Sequence, residues 1–294
     1  MIDILTVVFQ QELYYLEIQA RSIEQYIDSN KIGKIFIVVN DDSSVCDLVD
    51  TSWWGKNQDK VVVYDRKYFG VNPKLPGWES QQYYKLAGAN IAQSDWTMVL
   101  DAKTWFIQPL DFDKLFDSDG RVCLGIYPTI PVFKAAEKFV EDFFKIESKQ
   151  VIGPAGVPFF FKTEEIHMLY KHLVDAGTNM FDFFTTNVLH PIHLTEFMFY
   201  SGWIKFKHGT LENLYSPKNA YQVTNIADFE KYDFDQLFTV NMQQPNNLTV
   251  SIHRTVYPVL TDSQLQSWGE FLYSKNLIVD PGETFQKLNT QLNI

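Results

Sequence analysis

Asp101 and Lys103 stand two residues apart at the end of a short, mostly apolar run, Trp96 to Leu100. An acid and a base at the carboxyl end of a buried strand are poorly explained by packing, and in open α/β sheets that edge is where ligands bind. The same residues also read as a strand-end turn carrying a solvated ion pair. Three further places carry chemistry. Asp41 and Asp42 end a second apolar run, Ile35 to Val39, where they either hydrogen-bond a ligand or, with Ser43, cap a short helix through Val45, Leu48 and Val49. Glu196 lies inside Leu194-Thr195-Glu196-Phe197-Met198-Phe199-Tyr200, where burial raises a carboxyl pKa unless a partner holds the charge. Such an acid serves either as a base or as half of a structural pair with Arg or Lys. His253-Arg254 follows the run Leu248 to Ile252; a neutral imidazole can ligate a divalent ion and a guanidinium can grip phosphate with two hydrogen bonds.

The elements that must position these residues alternate between strand and helix. Ile4 to Phe9 has strand length, and Gln11 to Ser29 places Leu13, Leu16, Ala20, Ile23 and Ile27 at helical spacing. Ile35 to Val39 and Val61 to Tyr64 follow as strands, and the first β-α-β unit predicts a parallel pair with a right-handed crossover. A loop with Gly70, Pro73, Pro76 and Gly77 leads into a helix over Glu79 to Gln93, with Tyr83, Leu86, Ala87 and Ile91 on its apolar side and Gln81, Gln82 and Lys85 on a polar one. Beyond Asp101 the pattern predicts a strand over Arg121 to Tyr127, a helix over Val132 to Ile146, and a Gly/Pro loop from Gly153 to Pro158 before Phe159-Phe160-Phe161. Thr163 reads as an N-cap with Glu164 and Glu165 behind it, Gly177 as the stop of that helix, and Thr261 with Gln264 as a capping box. His167 and His172 are five apart, too far round a helix to share a metal, and Pro191 disfavours a helical pair of His190 and His193.

Composition narrows the function classes. The 294 residues, 46% of them hydrophobic, supply an ample core, and a net charge of −11 argues against a general nucleic-acid binder. An acidic chain still binds an anion when its few cations converge on one cleft. Cys46 and Cys123 form no disulfide framework, so a reducing cytoplasm is the expected home. The start has no basic region and only a six-residue apolar run, so neither a signal peptide nor a membrane anchor is expected there. No G-x-G-x-x-G follows the first two strands, which weakens a dehydrogenase reading. The absence of a glycine-rich basic loop after Phe9 does the same for a sugar nucleotidyltransferase.

The run WESQQYYKLAGANIAQSDWTMVLDAK, with the order strand, acid, Lys-bearing helix, strand with Asp-x-Lys, later Glu and terminal His, resembles GT-A-type glycosyltransferases across about residues 1 to 255. Their D-x-D motif holds the donor diphosphate through a divalent metal; here Lys103 replaces the second acid, as in an Asp-x-Lys variant group of bacterial or phage type. The resemblance implies an α/β fold with a central, mostly parallel mixed sheet, flanked by helices and helix-rich toward its C-terminal part. It implies one unit, with 1–127 as the nucleotide-sugar half, 128–260 as the acceptor half and 261–294 as a closing helix and tail. The implied activity is transfer of a sugar from a nucleoside-diphosphate donor to a hydroxyl of a glycan or related acceptor. Donor contacts would come from Thr6, Asp41, Asp42, Lys85, Asp101, Lys103 and Arg254, with Glu196 as catalytic base. Asp101 and His253 would assemble weak Mn or Mg binding with the donor phosphates, unless Lys103 supplies that charge itself. The Gly153–Pro158 loop would shape the acceptor side. The reading from another class is a non-catalytic carbohydrate-binding protein that keeps the fold.

Overall fold

A computed structural model describes residues 1–75, 77–123, 129, 131–147, 157–188, 192–226, 242 and 244–282. The chain opens with β1 (Ile2–Val8), α1 (Leu13–Tyr26) and β2 (Ile32–Val39). Then follow β3 (Val61–Asp65), α2 (Gly77–Asn90), β4 (Trp96–Asp101) and β5 (Thr104–Phe106). After a single turn, α3 (Phe112–Leu115), come α4 (Lys134–Phe144), β6 (Phe159–Lys162), α5 (Thr163–Asp175), α6 (Met180–Asn187) and α7 (Glu196–His208). Two strands, β7 (Gln222–Ile226) and β8 (Asn247–Ile252), and α8 (Asp262–Ser274) complete the described elements.

Every residue of β1 is buried, which is what a continuous apolar run in the middle of a parallel sheet requires. The main sheet has the order β3-β2-β1-β4-β6, with the first four strands parallel and β6 antiparallel to β4. From β1 the chain builds outward to β2 and β3 on one side and to β4 on the other. The topological switch point is therefore between β1 and β4, where their carboxyl ends open a crevice. The register sets Val7 beside Asp101 and Val8 beside Val39, so the residues after β1, β2 and β4 share one edge. This is the expected mixed, mostly parallel sheet flanked by helices, with Asp101 at its carboxyl edge.

A small second sheet, β5-β8-β7, fixes the remaining geometry. β5 pairs antiparallel with β8, Thr104 opposite Ser251, and the two hydroxyls lie 2.8 Å apart. Continuing that register brings His253 to the Ala102-Lys103 turn, although the two are distant in sequence.

Helix α2 differs from its sequence reading. It is buried on nearly all sides, with Lys85 4% exposed, because it is sandwiched between β1 and the helices α5, α6 and α7. Gly88 permits the approach: a Cβ there would come within 2.6 Å of Leu5 Cδ1. Lys85 precedes Gly88 by three residues and so points toward the same packed face. Thr163 is not an N-cap either. Lys162 holds that position, while the Thr163 backbone N–H donates to the Asp95 carbonyl and its hydroxyl lies 3.2 Å from that of Thr97. Gly177, with φ of 83°, ends that helix as expected, and the Thr261–Gln264 capping box is present. Of the expected strand Arg121 to Tyr127, Val122 forms isolated bridges with Phe116 and Tyr215, and residues beyond Cys123 lie outside the described residues. So do Gly153 to Gly156 of the Gly/Pro loop, and His190. His172 is half-buried and packs its ring near Phe144, Trp203 and Phe206.

Candidate functional site at the carboxyl edge of the sheet

A cleft of about 770 Å³ opens at the switch point, lined by Phe9 to Leu13 after β1, Asp41 after β2, Trp78 and Gln81 of α2, Lys103 after β4, and His253 and Arg254 after β8. Lys103, His253 and Arg254 thus converge in a chain of net charge −11. Lys103 Nζ lies 3.3 Å from Asp101 Oδ2. Arg254 donates from Nη1 to Gln11 Oε1 at 2.9 Å, which orients its guanidinium across the cleft from the other sheet. Burial, reinforced by the positive charges of Lys103 and Arg254, holds the His253 imidazole below its ordinary pKa, so the ring is neutral near pH 7. Its Nδ1 lies 2.7 Å from the Thr255 hydroxyl and 3.4 Å from the Thr255 backbone N–H, which together fix the ring plane.

Beneath the cleft floor lies a chain of buried charges. Lys85 Nζ is 2.8 Å from Asp101 Oδ1 and 2.9 Å from Glu196 Oε1. The Glu196 contact is an ion pair without hydrogen-bond alignment, and neither Glu196 oxygen has a hydrogen-bond partner. Burial opposes the charge on Lys85, but Asp101 and Glu196 outweigh it and hold the ammonium protonated. Burial likewise pushes the Asp101 carboxyl up, and Lys103 and Lys85 together pull it well below the ordinary carboxylate range. For Glu196 burial wins over Lys85, and its pKa is raised.

The expected site residues therefore fall into three groups. Lys103, Asp41, His253 and Arg254 line the cleft; Asp101 lies beneath them, paired to Lys103. Lys85 and Glu196 are under the floor, 4% and 1% exposed. Glu196, the first residue of α7 behind the Thr195 cap, is the counter-charge of Lys85 and meets a cleft ligand only if Lys85 moves. Thr6 and Asp42 are outside the cleft. Thr6 is fully buried and donates at 2.7 Å to Gln19 Oε1. The Asp42 side chain is 89% exposed, 4.0 Å from Arg66, and makes no cap to the short helix behind it. Asp41 is the acid of this pair on the cleft, where it accepts from the Gln10 N–H at 3.1 Å.

The donor set does not fit a divalent ion. Each Asp101 oxygen faces an ammonium group, and the positive charges of Lys103 and Arg254 act on His253. Among the described residues no three of His, Cys, Asp and Glu cluster with metal-ligand spacing.

Two further residues escaped the sequence reading. Gln19, buried in α1, donates from Nε2 to the carbonyls of Asp101 at 2.6 Å and Thr104 at 3.0 Å, pinning both ends of the turn that carries Lys103. A glutamine among aliphatic residues at helical spacing was its only trace. Glu12 stands in the cleft itself, and its signal was a polar triplet, Gln10-Gln11-Glu12, between an apolar strand and an amphipathic helix.

The fold is of the GT-A type. The chain is similar to a galactosyltransferase, LgtC, solved in complex with donor and acceptor sugar analogues, at 13% identity and a TM-score of 0.50, over 97% of this chain and 99% of that one. It is similar as well to the bifunctional glycosyltransferase WbbM in its apo form, at 9% identity and a TM-score of 0.50, covering 99% of this chain and 51% of that one. At these identities the likeness establishes the fold. A family model described as a family of unknown function, DUF6492, matches residues 5–241, and the chain belongs to that family. Among curated proteins no sequence match is found. None of the described helices is long and apolar enough to cross a membrane.

Proposed function

We propose that this protein transfers a sugar from a nucleoside-diphosphate donor to a hydroxyl of a glycan or related acceptor. The observation that carries the reading is the convergence of Lys103, His253 and Arg254 on one cleft at the switch point of a GT-A fold, in an otherwise acidic chain. A diphosphate is the ligand such a set suits. Arg254 offers a planar fork that takes two phosphate oxygens, Lys103 a fixed point charge, and His253 a hydrogen-bonding imidazole. Trp78, 41% exposed on the cleft wall, offers an aromatic face to a nucleobase or sugar ring. Lys103 then takes the role that a second acid and a metal ion play in D-x-D enzymes: it is held in place by Asp101, and Asp101 by Lys85. The similar galactosyltransferase, solved with donor and acceptor analogues, supports the same use of the fold.

The test is a thermal-shift screen with UDP, GDP, ADP and CDP and their glucose and galactose derivatives, each with EDTA or with manganese. A ligand at a hundredfold its dissociation constant adds about 2.7 kcal/mol of stability. Stabilisation by a nucleoside diphosphate, followed by consumption of its sugar derivative with an acceptor, is the expected result. Stabilisation by free glycans alone would replace the reading with the carbohydrate-binding one.

A further inference from the structure

The loop that leaves β1 presents three polar residues in succession to the cleft, and two of them are engaged. The Gln10 backbone N–H donates to Asp41 Oδ2 at 3.1 Å, and Gln11 Oε1 accepts from Arg254 at 2.9 Å. Glu12 is different. Its backbone N–H closes the loop onto the Phe9 carbonyl at 2.9 Å, but its carboxylate forms no ion pair, and Oε2 is buried without a hydrogen-bond partner. The Glu12 side chain is half-buried and borders the cavity, and burial pushes its carboxyl pKa up against the pull of Lys103 and of a backbone hydrogen bond from Phe9. A buried acceptor left unsatisfied is costly, and the cost is removed when a ligand supplies the missing donor.

Local charge selects that donor. Lys103 and Arg254 already act on Glu12 from the same cleft, so a cationic ligand group would meet two like charges before reaching it. A neutral hydroxyl meets no such repulsion and gives a carboxylate the O–H donor it lacks. Given the proposed donor, whose diphosphate lies against Lys103 and Arg254, the groups attached on either side of that diphosphate are both polyols: the ribose and the transferred sugar. We propose that Glu12 is the hydroxyl-recognising residue of the cleft, accepting hydrogen bonds from a sugar ring of the bound nucleotide sugar. The inference rests on the function proposed above.

The experiment measures affinities by calorimetry, with EDTA, for wild type, Glu12→Leu and Glu12→Gln. The probes are UDP, GDP, ADP and CDP, the 2′,3′-dideoxy analogue of whichever binds, and its glucose and galactose derivatives. A hydrogen bond to a charged acceptor changes affinity about 10- to 100-fold. Recognition of the ribose gives a wild-type preference of that size for the ribose form over the dideoxy form, collapsing toward one in Glu12→Leu. Recognition of the transferred sugar instead gives a wild-type gain from diphosphate to sugar nucleotide that Glu12→Leu loses while still binding the diphosphate. Glu12→Gln, close in size and keeping one acceptor oxygen, retains part of whichever preference exists. Wild-type ratios near one, or ratios equal in wild type and Glu12→Leu, overturn the role of Glu12 and leave the diphosphate site standing. Binding of none of the four diphosphates by wild type removes both.

Discussion

Lys85 Nζ sits 2.8 Å from Asp101 Oδ1, joining a residue in the middle of α2 to the last residue of β4 beneath the cleft. The pair makes Asp101 the base of a charge chain in which Lys103 is the outer member, at 3.3 Å, and Glu196 the inner one. Cleft electrostatics and fold stability therefore share the same side chains.

Removing Lys85 would leave Asp101 and Glu196 as buried acids without their shared cation. Breaking a buried pair from one side costs about 3–5 kcal/mol. Urea unfolding of Lys85→Ala is expected to show a loss of that size, whereas Lys171→Ala, whose exposed i,i+4 pair with Asp175 is worth roughly 0–1 kcal/mol, is expected to be nearly neutral. A Lys85→Ala protein as stable as wild type would show that the two carboxyls are neutral in the fold.

Lys103 has the opposite balance, with its side chain 20% exposed and lining the cleft. Lys103→Ala is expected to weaken nucleoside-diphosphate binding more than Lys171→Ala, and the gap should widen at low salt, since screening shortens the reach of a solvent-facing charge. Equal small effects from the two substitutions would remove the support for the cleft as an anion site.

Metal removal offers a third check. Because each oxygen of Asp101 faces an ammonium group, nucleotide affinity should be about the same with EDTA as with manganese. A strict requirement for manganese would mean that Lys85 or Lys103 swings away from Asp101 on donor binding.

Glu196→Gln separates base from counter-ion. A positioned general base is worth 10²–10⁴-fold in rate, roughly, and its loss leaves stability nearly unchanged. A counter-ion lost from beside Lys85 lowers the melting temperature, and turnover falls only with the folded fraction. The 1% exposure of Glu196 and its 2.9 Å contact with Lys85 lead us to expect the second pattern. Turnover, donor affinity and melting temperature measured on one preparation decide it.

The Glu165 network sets a pH dependence on the other side of the molecule. Glu165 accepts from Lys207 at 2.9 and 3.0 Å, from the Trp203 indole at 3.0 Å, and pairs with His208 at 2.9 Å. Burial raises its carboxyl pKa, but Lys207 and His208 outweigh it and the net shift is downward from 4.5. A carboxyl whose folded pKa is depressed contributes stability that is fully present above its unfolded value and lost as pH falls through the folded one. Wild type should therefore exceed Glu165→Gln by roughly 1.5–3 kcal/mol at pH 7, from charge-assisted hydrogen bonds. The gap should shrink below about pH 4.5. A gap unchanged at pH 3 would show that packing alone accounts for it.

Much of this arrangement was legible in the chain itself. The apolar runs at β1, β2 and β4 have a period and length that suit strands buried on both faces, and the amphipathic stretch between β1 and β2 can cover only a parallel pair. Asp101 and Lys103 at the end of such a run, and His253-Arg254 at the end of another, marked the edge where the cleft opens, because strand ends are where side chains leave the core. Local pattern carries that information. Which face of α2 is buried was not local: Lys85 belongs to a helix packed on nearly every side, and its side chain has a buried position only because Asp101 and Glu196 arrive from β4 and α7 to neutralise it. The same holds for Thr6, drawn inward to Gln19, and for Gln19, whose two carbonyl partners lie 82 and 85 residues away. Glu12 shares its cleft with Lys103, which the β1–β4 pairing sets beside the β1 loop, and with Arg254, which the β5–β8 pairing carries there. Strand propensity and hydrophobic period are properties of neighbours in sequence, whereas desolvation and charge pairing depend on what the whole fold packs around a side chain, and that only the tertiary structure decides.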